Sequence, residues 1–187
     1  MFYRRVIFSL REWAENSKRK PFVLRGIRQV GKTTIVEEFA KDFDTFLHLN
    51  LEQTAYRKVF EANDTPEEIL TDIYLLKNKV RKQEWTLLFI DEIQILSKAV
   101  SSLRYFYEKI SELFVIAAGS LLETLIEKYI SFPVGRVEYL VLQPCSFSEF
   151  LGAIGEEQIK DKLLPVEQLG AIRKQAEASS PLTAFLN

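Results

Sequence analysis

Apolar and polar positions along the chain switch between two periods, and the switches mark out the elements. Val6, Leu10 and Trp13 recur at three- and four-residue spacing, which predicts an amphipathic helix over 4–17. Phe22-Val23-Leu24 follows Pro21 as a short unbroken apolar run, the form of a strand buried on both faces. Helical spacing returns behind it: Ile35 and Phe39 share one face, Val36 and Ala40 lie beside it, and Glu37 and Glu38 face water. Thr45 to Leu51 alternates with period two and predicts a second strand, on which His48 faces solvent or a neighbouring loop. Ala55 to Ala62 reads as a short helix. Thr65-Pro66-Glu67-Glu68 opens the next, with Thr65 as N-cap, Pro66 at the first helical position and Glu68 completing a capping box. That helix is expected to run to about Lys82, burying Ile69, Leu70, Ile73 and Leu76.

The second half repeats the theme. Thr86 to Ile90 is a continuous apolar strand, Ala99 to Glu112 a helix, Phe114 to Ala118 a fourth strand and Val137 to Leu142 a fifth. A helix from Leu121 to Lys128 separates the last two, with Ser120 as its N-cap. Strands alternating with helices define the class as α/β: a mainly parallel five-stranded sheet with helices on both faces, in three layers. After Phe150 the pattern changes. Gly152, Gly155, Pro165 and Gly170 interrupt helical pieces, and Ala178-Ser179-Ser180-Pro181 reads as a loose end.

Composition narrows the function more than it identifies it. A chain of 187 residues suits one α/β domain, and 47% hydrophobic with 27% charged residues is ordinary for a globular protein. A net charge of −1 gives no global pull toward nucleic acid or a charged membrane surface. Arg4, Arg5, Lys18, Arg19 and Lys20 are candidates for a local basic patch, and read more simply as a solvated helix face. The single cysteine, Cys145, excludes an internal disulfide, and with one histidine it makes no zinc site or Cys–His dyad. No apolar run approaches the ~18 residues of a membrane span. Arg11, Glu12 and Glu15 interrupt the N-terminal segment, so it is not a secretory signal, and a cytoplasmic protein is expected.

The chemistry begins at Gly26-Ile27-Arg28-Gln29-Val30-Gly31-Lys32-Thr33-Thr34, which fits G-x-x-x-x-G-K-[ST] in full. The glycines let the backbone wrap around an anion, with N–H groups aimed at phosphate oxygens. Lys32 carries positive charge to the β- and γ-phosphates, and the Thr33 hydroxyl ligates Mg²⁺. The loop lies between a predicted strand and a predicted helix, whose N-terminus adds partial positive charge at the phosphates.

Leu87-Leu88-Phe89-Ile90-Asp91-Glu92 supplies the other half. An apolar strand delivers Asp91 to its tip, where it holds a water on the metal, and Glu92 is placed to orient and deprotonate an attacking water. The alternative for Glu92 is a solvent-facing acid that caps the following helix. Ser120 is a candidate γ-phosphate sensor if the fourth strand lies beside the first, and its capping role is compatible with that. Arg136 is a candidate for stabilising transition-state charge in its own site or a neighbour's, against the reading of a surface arginine before a strand. Arg28 contacts phosphate or solvent, and Arg104, with Tyr105 and Tyr107, reads as structural.

These residues together, with Ile93-Gln94 after the acid pair, Ala118-Gly119-Ser120, Gly135-Arg136-Val137 and Pro144-Cys145-Ser146-Phe147-Ser148-Glu149-Phe150-Leu151, resemble a group of prokaryotic AAA-type P-loop ATPases. The resemblance covers roughly residues 1–151. It implies a P-loop NTPase sandwich of the additional-strand class using ATP and Mg²⁺, with Lys32, Thr33, Asp91 and Glu92 matching the core motifs and Arg136 a family arginine. In that group the ATPase domain is usually followed by a C-terminal domain of poorly defined function. Residues 152–187 are therefore expected to be a partial helical lid, or the start of such a domain.

Two functions compete on this basis: an ATP hydrolase coupling γ-phosphate loss to conformational change, and a nucleotide-binding switch with little or no turnover. A homo-oligomer fits either. A GTPase fits less well. Asn78-Lys79-Val80-Arg81 imitates the N-K-x-D guanine signature, but Arg81 replaces the acid and the motif falls inside the predicted helix. A small-molecule kinase is disfavoured by Glu92, which suits water as acceptor. No residue pattern specifies a protein or nucleic-acid partner.

Overall fold

Strands without a polar face must be covered on both sides, and the sheet satisfies this requirement. A computed structural model of the chain describes residues 4–82, 85–119 and 135–155. Its five strands are β1 (Phe22–Arg25), β2 (Thr45–Asn50), β3 (Thr86–Asp91), β4 (Phe114–Gly119) and β5 (Glu138–Val141). They lie in the order β2-β3-β4-β1-β5, and every adjacent pair is parallel. β3 and β4 are buried at every position, whereas the edge strands β2 and β5 alternate. This is the expected three-layer α/β sandwich.

Period-two alternation sorts the strand side chains between two cores. Leu24, Phe89 and Ile116 pack with α1 (Val6–Glu15) and α2 (Lys32–Phe39) through Leu10, Trp13, Val36 and Phe39. Val23, Leu88, Val115 and Ala117 pack on the other face with α3 (Thr54–Ala62), α4 (Pro66–Leu76) and α5 (Ser97–Lys109), through Phe60, Ile73, Leu103 and Phe106. Trp13 ties α1 to the sheet: its ring meets those of Phe22 and Phe114 at 5.4 and 6.0 Å, and its indole N–H donates to the Lys20 carbonyl.

The α4 capping box forms as read, with the Glu68 N–H on Thr65 Oγ1 at 3.2 Å and the Thr65 N–H on Glu68 Oε2 at 3.1 Å. The helix does not reach Lys82. It ends at Leu76 because Asn78 adopts a left-handed φ of 49°. The Lys79 N–H then returns to the Tyr74 carbonyl and that of Asn78 to Leu75, the pairing of a Schellman stop. The Asn78–Arg81 tetrapeptide thus lies in the connection leading to β3, not inside a helix.

Two basic residues also depart from expectation. Arg4 is buried, and the Arg19 guanidinium lies 3.6 Å above the Phe114 ring while donating to the Ser111 and Glu112 carbonyls. Neither belongs to a solvated helix face.

Arg4–Pro144 forms one compact unit. The described residues from Cys145 onward belong to a second unit, which carries α6 (Phe147–Ala153) with its own capping box between Ser146 and Glu149. Ser120, the predicted helix Leu121–Lys128 and the tail beyond residue 155 lie outside the described residues.

Candidate active site

A parallel sheet gathers the C-terminal ends of all its strands on one edge, where loops meet without crossing the core. At this edge β1 passes into the glycine loop and α2 begins directly at Lys32. Gly31 precedes α2 with a left-handed φ of 93°, and Gln29 adopts 63°. Val30 turns inward to the core, while Ile27, Arg28 and Gln29 are exposed.

The loop is fastened from beneath. Arg4 donates to the Val30 carbonyl at 3.3 Å and to the Gln143 carbonyl at 2.6 Å. Gly26 lies so close to the chain after β5 that a Cβ would stand 2.7 Å from the Leu142 carbonyl oxygen and 3.0 Å from Val30 Cγ1. Gly26→Ala is therefore expected to destabilise the domain by about 1–3 kcal/mol through overpacking. Urea denaturation would show this as a lowered midpoint.

Lys32 is buried, and its ammonium donates to the Gly26 and Ile27 carbonyls at 2.8 and 3.0 Å. Burial pushes its pKa below the ordinary value, and the negative charges of Glu92 and Asp91 offset this only in part. A phosphate chain would supply the missing counter-charge.

Asp91 ends β3 facing Thr33. The Thr33 hydroxyl donates to Asp91 Oδ2 at 2.9 Å, and the Glu92 N–H donates to Oδ1 at 3.0 Å. Burial acts to raise the Asp91 pKa. His48, Thr33 and the Glu92 N–H together outweigh it and hold the carboxyl below its ordinary value. Glu92 follows with a left-handed φ of 54°, an uncommon backbone state for a residue with a Cβ. Its carboxylate accepts a hydrogen bond from the Gln94 amide.

A pocket of about 260 Å³ opens among these groups, lined by Arg28, Gln29, Gly31 to Thr34, Asp91 and Glu92. This is below the usual size of a whole-ligand site and suits a phosphate chain, with the remainder of a nucleotide outside it. A hydroxyl and a charged carboxylate in contact are hard oxygen donors of the kind Mg²⁺ takes alongside substrate phosphates. Among the described residues no cluster of three His, Cys, Asp or Glu side chains offers an all-protein metal cage. The donor set fits Mg²⁺ arriving with a nucleotide.

The sequence reading missed His48. It is half-buried and turned toward Asp91. Alternation puts it with Phe46 and Asn50 on the face covered by α2, and pairing with β3 sets it opposite Phe89. Its Nε2 lies 3.9 Å from Asp91 Oδ2 and its Nδ1 3.9 Å from Glu37 Oε1. The only signal was the shared β2–β3 register, which no local spacing reveals.

β4 does lie beside β1, with Gly119 opposite Arg25, which puts the tip of β4 next to the glycine loop. Arg136 stands apart. It precedes β5, whose Glu138 pairs with Phe22 at the start of β1, so it sits at the opposite edge of the sheet. The length of β1, about 13 Å for its four residues, separates that edge from the loop. There Arg136 Nε lies 3.5 Å from Glu108 Oε1, which also accepts from Arg104 Nε at 3.0 Å. Among the described residues no helix is long and apolar enough to cross a membrane.

Comparison with known proteins agrees with this geometry. A family profile described as an AAA domain matches residues 18–151. Among solved structures, the Walker-type ATPase paby2304 of Pyrococcus abyssi is 20% identical with a TM-score of 0.52, over 95% of this chain and 63% of that one. C. elegans PCH-2 is 15% identical with a TM-score of 0.48, over 86% of this chain and 48% of that one. At such identity the first of these shows the fold alone, and this chain spans less than two thirds of its length. No curated protein sequence matches the chain. The profile covers well over half of the sequence, and with the parallel sheet and its glycine loop it establishes the relationship: the chain belongs to the AAA domain family of P-loop ATPases.

Proposed function

We propose that the chain binds ATP with Mg²⁺ at Gly26–Thr34 and hydrolyses it to ADP and phosphate, coupling loss of the γ-phosphate to conformational change. The observation that carries this reading is the 2.9 Å contact between Thr33 Oγ1 and Asp91 Oδ2, with Glu92 as the next residue. It joins a phosphate cradle to a second acid suited to activating water.

In this reading Lys32 leaves the Gly26 and Ile27 carbonyls and places its charge on the β- and γ-phosphates. The backbone N–H groups of the loop and of the first turn of α2 hold the remaining oxygens. Thr33 and Asp91 would hold Mg²⁺, which supplies neutralisation of charge on the phosphate oxygens. Glu92 turns from Gln94 toward water, orients it in line with the γ-phosphorus and accepts its proton. Ser120, next in the chain after the tip of β4, is assigned to the γ-phosphate.

Arg136 lies at the edge of the sheet away from its own loop, so its catalytic assignment is to the site of a neighbouring copy, and its ion pair with Glu108 suits the alternative of a surface arginine. Phosphate release per molecule is then expected to rise with protein concentration. Arg136→Ala should cut the plateau at least 10³-fold, by the usual weight of an arginine completing such a site. Flat specific activity with a fully active Arg136→Ala variant would refute the shared site.

One observation favours the alternative of a switch with little turnover: the Glu92 carboxylate is engaged by Gln94. Tight ATP binding without phosphate release at any concentration would select that reading.

A further inference from the structure

A third group faces Asp91 besides the Thr33 hydroxyl and the Glu92 N–H. The His48 imidazole points at Oδ2 from β2, and its Nε2 is buried with no hydrogen-bond partner among the described residues. The ring is not free to turn away. It packs against Phe89 at 4.8 Å between centroids and stacks on Phe46 at 5.8 Å, while Glu37 Oε1 faces its other nitrogen at 3.9 Å. An ionised carboxylate only accepts, so the ring edge facing Asp91 serves as an N–H donor. A shift of about 1 Å closes 3.9 Å to hydrogen-bond distance.

We propose that His48 is a positioning residue for the metal-binding carboxylate: it fixes the rotation of Asp91 so that the Thr33–Asp91 pair accepts a divalent cation. This rests on the ATPase reading above. Glu37 completes the arrangement. It lies one helical turn after Thr33 on α2, so the chain Glu37–His48–Asp91–Thr33 closes a loop between the phosphate-binding helix and β3. Partners that orient ligating carboxylates typically carry a 10–100-fold effect on metal affinity. His48 touches neither nucleotide nor metal in this account, and its effect passes through Asp91.

The test is equilibrium binding of a fluorescent non-hydrolysable ATP analogue, with chelator and across a Mg²⁺ titration. His48→Phe keeps the aromatic packing and removes the donor. It is expected to raise the Mg²⁺ concentration for half effect by roughly 10–100-fold, with metal-free affinity within about twofold. His48→Gln, which restores an N–H donor, is expected to recover most of the loss. Glu37→Ala alters an exposed side chain outside the core and gives a second reading, a several-fold shift in the same direction. Unchanged Mg²⁺ dependence in His48→Phe and Glu37→Ala overturns the inference alone, as does equal weakening of metal-free and metal-loaded binding. A wild-type protein that binds the analogue in neither condition overturns the ATPase reading and this inference with it.

Discussion

Glu92→Gln is expected to lower ATP turnover by about 10²–10⁴-fold, the usual weight of a general base, while ATP affinity stays within a few-fold of wild type. The barrier increase is about 3–5 kcal/mol. The substitution removes the proton-accepting carboxylate and its negative charge, which acts on Lys32 together with that of Asp91. The side chain keeps its length, the Glu92 N–H still donates to Asp91 Oδ1, and the left-handed backbone at this position is undisturbed. Lys32, Thr33 and the loop are untouched, so binding and hydrolysis separate. Parallel measurement of phosphate release and equilibrium ATP binding checks both halves. A variant that turns over at the wild-type rate would return Glu92 to a capping acid and remove the hydrolytic reading.

Lys32→Ala is expected to weaken ATP binding about 100-fold, the upper range for charge-assisted hydrogen bonds lost from a buried phosphate site. Folding should survive. In the ligand-free arrangement the ammonium is partly desolvated and its pKa is lowered, so this charge opposes folding. The unfolded chain holds the Lys32 proton to higher pH than the folded chain does. Stability therefore rises with pH between the folded pKa and the ordinary lysine value of ~10.4. Lys32→Ala should flatten that alkaline rise and leave the neutral-pH denaturation midpoint no lower than wild type. Lost stability together with lost binding would instead assign Lys32 to loop architecture.

Local features were the legible ones. The glycine loop, the α4 capping box and the apolar runs of β3 and β4 are each written in a few adjacent residues, and the structure forms all of them. The end of α4 was not, because Asn78 stops the helix by backbone conformation and nothing in the apolar spacing anticipates a left-handed residue. The place of β4 between β1 and β3 depends on pairing across dozens of residues. The β1–β5 pairing likewise sets Arg136 away from its own loop, and the β2–β3 register brings His48 to Asp91. Arg4 shows the same limit. As a basic residue near a helix start it reads as solvated, yet its hydrogen bonds go to carbonyls 26 and 139 positions away. The contact between Gln94 and Glu92 depends on the left-handed turn at Glu92, which the sequence does not announce.

The most direct test of the hydrolytic claim is a single-turnover reaction with protein in excess over radiolabelled ATP, with and without Mg²⁺. High protein concentration populates any shared site, so the outcome does not depend on assembly. The account predicts Mg²⁺-dependent conversion of bound ATP to ADP and phosphate by the wild type, with bound ATP persisting in Glu92→Gln. ATP that stays bound and intact on the wild-type protein in saturating Mg²⁺ would contradict it.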